Sequence, residues 1–145
     1  MTDYLAAEQG IINRLQAVTN YKILTAADLE DAMEGQTPAP AIFVLYAGES
    51  NIKTTPNGAR VEVVQTWVAV VVVRNTRQPS SGQGARGEAG QMLGIVADAL
   101  MGQSPGLSLT TLKQVSSPWP PSFDNGFYYY PLAFSTTLRF DKGKD

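Results

Sequence analysis

Apolar residues recur at helical spacing at the start of the chain. Tyr4, Ala7, Ile11, Leu15 and Val18 share one side while Glu8, Asn13, Arg14 and Gln16 fall elsewhere, which predicts a helix over residues 3–19. After a short run at 21–24, Thr25-Ala26-Ala27-Asp28 has the form of a capping box with Asp in place of the usual Glu or Gln. It leads into a short helix over 29–34 that stops at Gly35. Residues 41–47 (AIFVLYA) read as a buried strand, and the polar stretch 48–59 reads as a long hairpin loop.

The most informative pattern lies in residues 60–75. One side would carry Val61, Val63, Gln65, Trp67, Ala69, Val71 and Val73, and the other Val64, Thr66, Val68, Val70 and Val72. A strand wetted on one side alternates apolar with polar, so the second half of this one must be covered on both faces. Residues 76–87 are crowded with glycine and serine and read as a flexible loop. A second main helix follows with Ala89, Met92, Leu93, Val96 and Leu100 as its buried stripe and Gly102 as its stop. Residues 107–115 suit a short or bulged strand, and three prolines around Trp119 argue against regular structure over 116–125.

The last strand is expected over 127–140. Tyr128, Tyr130, Leu132, Phe134, Leu138 and Phe140 share one face, and Phe127, Tyr129 and Ala133 share the other. Pro131 lacks a ladder donor, so it must mark a bulge or a position facing an open edge. The tail DKGKD is expected to fray. With no internal repeat, this order predicts one α+β domain: a largely antiparallel, mixed sheet of about four strands with two main helices on one face.

At 145 residues the chain is long enough for one domain with a real core. Its 11 basic and 13 acidic residues leave a net charge of −2, so no basic stripe points to tight nucleic-acid binding. His and Cys are both absent, which removes Cys/His zinc sites, disulfides, a Cys nucleophile and a His base from consideration. The longest apolar run, Trp67 to Val73, is far shorter than the roughly 20 residues of a membrane span. The start MTDYLAAEQG has no basic region before an apolar one, so no secretory signal is expected and synthesis is placed in the cytoplasm.

Gly82-Gln83-Gly84-Ala85-Arg86-Gly87 spells G-x-G-x-x-G, but a dinucleotide site needs it directly after a strand with an acid about 20 residues on. Neither condition holds, and a loop is the better reading. The acidic cluster Glu30, Asp31 and Glu34 reads as a solvated face, because neighbouring positions on a short helix diverge. No serine has a His partner, so enzyme function is not expected.

If the helices cover one sheet face, the Trp67 or Val68 set with Phe127 and Tyr129 needs another cover, and a second copy of the chain would supply it. Trp119 and Phe123, on a stiff proline-rich segment, are further candidates for a subunit interface.

The N-terminal TDYLAAEQGIINRLQAV, the strands PAPAIFVLYAGE and VEVVQTWVAVVVVRN, and the C-terminal SSPWPPSFDNGFYYYPLAFSTTLRF occur in an order that resembles the tail terminator family of tailed bacteriophages, which includes the small tail-completion proteins of lambda-like and Mu-like phages. The resemblance implies a virion protein that forms a ring, usually a hexamer, at the head-proximal end of the tail tube. There it stops tube polymerisation and meets the head-completion proteins, without catalysis or a cofactor. The loop residues Glu49, Asn51, Lys53 and Arg60, with Arg77 and Arg86 beside the glycine-rich segment, are nominated as contacts to tube or neck. DNA would pass through the lumen without specific binding, and no membrane is involved. Alternatives are another neck or tail-tube protein, or a small-ligand module built on residues 82–87.

Overall fold

A computed structural model describes residues 3–28, 38–74, 83–124 and 126–142, with backbone alone for 83–85. The elements in chain order are helix α1 (Ala6–Val18), strands β1 (Lys22–Leu24), β2 (Ala41–Thr54) and β3 (Arg60–Arg74), helix α2 (Gln83–Leu100), and strands β4 (Lys113–Val115), β5 (Ser122–Asp124) and β6 (Phe127–Asp141). Residues 26–28 are helical as well. Asp28 accepts from both the backbone N–H (2.8 Å) and the hydroxyl (3.0 Å) of Thr25, the reach-back half of the expected capping box. Those bonds, the backbone one foremost, hold its carboxyl below the usual carboxylate range. The rest of the short helix expected over 29–34 lies outside the described residues, as do the acidic cluster Glu30, Asp31 and Glu34 and the end of the tail.

The α+β expectation holds, with six strands in one sheet rather than about four. Their order is β1-β2-β3-β6-β4, and β5 pairs with β6 farther along. Among the described residues only the β1–β2 pair is parallel. The long strands β3 and β6 pair without a shift from Arg60↔Asp141 to Arg74↔Phe127. Pro131 therefore causes no bulge on the β3 side, where it faces Val70. On its other side it falls between the residues paired with β5 (Tyr129 and earlier) and those paired with β4 (Ala133 and later), so its missing N–H breaks no ladder.

Three local expectations are corrected. The hairpin loop expected over 48–59 is mostly strand: β2 continues to Thr54 across register shifts at Tyr46/Gly48 and Ser50/Lys53. Gly48 (φ 105°) and Asn51 (φ 50°) supply the left-handed backbone those bulges use. The glycine-rich loop expected to reach residue 87 is helical from Gln83 onward. Finally, the proline-rich segment does not stay irregular to its end, since Ser122–Asp124 pair with Phe127–Tyr129.

Helices α1 and α2 cover one face of the sheet. Ala7, Ile11, Leu15, Met92, Val96 and Leu100 pack over Ile42, Val44, Trp67, Val71, Phe134 and Leu138. The helices also tie to each other and to the loop beyond α2. Arg14 donates from Nε to the Ala99 carbonyl (3.0 Å), satisfying one of the last carbonyls of α2. A Cβ on Gly10 would lie 1.8 Å from the Pro105 carbonyl oxygen, so only glycine permits this approach.

The second face holds Phe43, Val68 and Val72, all at 0 % exposure, with Val70 at 9 %. Both faces of β3 are thus covered, as its sequence requires, but the cover is found within one chain. The expectation that this face needs a second subunit is overturned.

Candidate contact surfaces

The predicted interface residues divide sharply. Trp67 (1 % exposed) and Val68 (0 %) belong to opposite faces of the sheet and are closed off inside the subunit. Trp67 donates from Nε1 to Gln65 Oε1 (3.2 Å) and lies against Tyr46, with ring centroids 4.9 Å apart. Neither residue offers side-chain surface to a partner. Trp119 and Phe123 do, at 39 % and 50 % exposure.

Trp119 owes its position to the chain around it. Three prolines stiffen the segment, and Ser117 closes a local turn by accepting from the Trp119 N–H (3.1 Å) and donating to the Trp119 carbonyl (2.7 Å). The indole then lies at a groove of about 270 Å³ together with Pro120, Tyr129, Pro131 and Val70. Ser122 and Asp124 complete its lining.

Register places Phe123 opposite Tyr128, on the other side of the sheet from this groove, with ring centroids 4.5 Å apart. Tyr128 in turn stacks on Tyr130 at 5.8 Å. Burial pushes the Tyr130 hydroxyl above its ordinary pKa, and the charge of Arg86 pulls partly against that. Arg86 therefore sits near this aromatic corner rather than on a loop. Phe127 is half-buried with the Arg74 guanidinium 5.5 Å over its ring.

The nominated tube or neck contacts lie mainly at the other end of the sheet. β3 has 15 residues, roughly 50 Å at about 3.3 Å per residue, so its two ends are well separated. Beyond Gly48 the β2 side chains are exposed, including Glu49, Asn51, Ile52 and Lys53. This end is braced rather than loose. Glu49 accepts a hydrogen bond from the Tyr4 hydroxyl, Arg60 pairs with Asp141 at 2.6 Å, and Arg139 pairs with Glu62 at 3.0 Å. The Asp141 carboxylate, through its hydrogen bond first and its charge second, raises the Arg60 pKa further. Arg77 lies outside the described residues.

The sequence reading did not single out Tyr4, Asp124 or Asp141. A Gln in an otherwise apolar strand was the available signal for Tyr4, because Gln65 is buried and donates to the Tyr4 carbonyl. The ligand-loop reading of residues 82–87 loses its basis, since residues 83–87 form the first turn of α2. Among the described residues no group of three or more acidic side chains is placed to hold a metal. No helix among the described residues is long and apolar enough to cross a membrane.

The profile of the phage tail terminator protein family matches residues 1–144. No curated protein matches the sequence significantly. Among solved structures, a chain from the virion of a native gene transfer agent particle is similar in fold. It has a TM-score of 0.54 and 15 % identity, over 96 % of this chain and 100 % of that one.

Proposed function

The chain belongs to the phage tail terminator family, and from that premise we propose that it closes into a ring on the head-proximal end of the tail tube, halting tube growth and receiving the head or neck. Membership makes it a structural component of the virion tail. The ring, its hexameric count and its partners are the proposal, and the family match over nearly the whole chain is the observation that carries it.

The distribution of surface supports this reading. A capping subunit needs lateral contacts to its own copies and axial contacts to tube and neck. Here exposed aromatics at Trp119 and Phe123, on opposite faces near one end of the sheet, and a braced polar strand pair at residues 49–62 near the other are carried on one continuous sheet. Exposed aromatics on stiff segments are the usual anchors of protein interfaces. The buried Trp67 and Val68 are withdrawn from the proposed interface, which keeps Trp119, Phe123, Phe127 and Tyr129. Glu49, Asn51, Lys53, Arg60, Arg77 and Arg86 remain proposed tube or neck contacts.

The deciding experiment mixes the purified protein with its tube subunit and measures tube length by negative-stain microscopy. Tubes of uniform length ending in a ring are expected. Tubes that grow without limit and carry no ring would overturn the reading, whatever the mass of the isolated protein by light scattering.

A further inference from the structure

The groove beside Trp119 has a composition suited to one kind of side chain. Trp119, Tyr129 and Pro120 line it with flat apolar surface, and its only charged lining residue among those described is Asp124. At about 270 Å³ it falls just below the roughly 300–1,000 Å³ of small-molecule sites, so it suits a single long side chain. The Asp124 carboxylate is exposed and has no hydrogen-bond or ion-pair partner among the described residues.

We infer that this groove receives an arginine side chain from a partner protein, with the guanidinium against the Trp119 indole and paired to Asp124. A guanidinium is planar, weakly hydrated and permanently charged, and its fork matches a carboxylate. It therefore gains from an aromatic face and an anion together, where an aliphatic side chain would leave Asp124 unpaired and a compact ammonium would stack poorly. The Ser122 hydroxyl, also on the groove, is a further acceptor.

In the row that holds Asp124, a guanidinium already lies on an aromatic ring. Asp124, Phe127 and Arg74 are successive cross-strand partners, and the Arg74 guanidinium lies over the Phe127 ring. The Trp119 indole offers a second such face, with the Asp124 carboxylate as an acceptor on the same groove, to a cation arriving from outside. The inference refines the contact role proposed for Trp119 and Tyr129 and rests on that reading for the partner being a protein. The probe below reads the groove alone, so its failure and a failure of ring assembly are separate results.

The test titrates N-acetyl-arginine amide into the full-length protein and follows the two tryptophan indole N–H signals by NMR, assigned with Trp119→Phe. The Trp119 signal is expected to move saturably while the buried Trp67 signal stays still. The citrulline analogue, isosteric but uncharged, is expected to bind about tenfold more weakly. Asp124→Asn should cut that preference to about threefold or less, the part that the Trp119 face supplies, with an unchanged melting temperature. The inference is overturned if the arginine analogue gives no saturable shift, if the norleucine analogue binds as well, or if Asp124→Asn keeps the full preference of about tenfold.

Discussion

Gln65, wholly buried in the middle of β3, donates its side-chain amide to the Tyr4 carbonyl at 2.8 Å and accepts from the Trp67 indole at 3.2 Å. One amide thus fastens the chain entering α1 to the sheet and satisfies the most voluminous buried side chain. Replacing it with the apolar Gln65→Leu leaves one acceptor, the half-buried Tyr4 carbonyl, and one donor, the buried Trp67 Nε1–H, without this partner. The expected loss is about 1–3 kcal/mol of unfolding free energy, read by urea denaturation. A loss below the error of that measurement would mean that α1 is held without this bond.

Glycines in the two helical elements predict opposite outcomes for the same substitution. Gly10→Ala drives a Cβ into the Pro105 backbone, which has no flexible end to yield. It should destabilise by about 1–3 kcal/mol or more as α1 and the 103–109 segment part. Gly94→Ala, on α2 with no atom near the added Cβ, should stabilise by about 0.5–1 kcal/mol through the unfolded chain and helix propensity. Thermal melts of the two variants, shifting in opposite directions from the parent, check both at once.

Two tyrosines should titrate late. Burial raises the hydroxyl pKa of Tyr46, and burial foremost raises that of Tyr130. A folded-state pKa above the unfolded value near 10 means that the folded protein holds these protons longer. The stability they contribute is complete below pH 10 and declines as pH rises through the folded values. The Tyr46 hydroxyl is also buried without a partner among the described residues. Tyr46→Phe should therefore be neutral or stabilising by up to about 1 kcal/mol and should remove one late component from the ultraviolet titration. A destabilised Tyr46→Phe protein would show that the hydroxyl is satisfied after all.

The two classes of predicted interface residue separate by what breaks first. Val68→Asp places a charge in the closed second face and should unfold the subunit, seen as loss of the cooperative melt. Phe123→Asp alters a half-exposed ring whose main contact is Tyr128. It should cost no more than about 1 kcal/mol in the subunit and yet weaken association, read by sedimentation at matched concentrations. Equal association of the Phe123→Asp and parent proteins would remove that corner from the interface.

The faces of β3 and β6 were legible because strict alternation survives along both. Val61 to Val73 and Tyr128 to Phe140 fall on the helix-covered side as their spacing dictates. The far half of β2 was hidden because bulges at Gly48 and Asn51 break the alternation, and polar residues exposed on both sides mimic a loop. The first turn of α2 was hidden by glycines that ordinarily disfavour a helix. Cover of the second face within one chain depends on tertiary placement, which spacing along one strand does not record. The contact candidates followed suit: exposed Trp119 was legible from its stiff surroundings, while its neighbour Asp124 carried no pattern.

Ile52 tests the tube contact without disturbing the subunit. It is 56 % exposed on β2, within the bulged stretch between Ser50 and Lys53. A single apolar side chain at this exposure contributes little to folding, so Ile52→Asp should change stability by no more than about 0.5 kcal/mol. Ring mass should also be unchanged, because the aromatic surface proposed for lateral contacts lies at the far end of β3. If residues 49–60 face the tube, the added charge must be desolvated there without a partner, and tube length control should fail while rings persist. Length control equal to that of the parent protein would move the tube contact away from this end of the sheet.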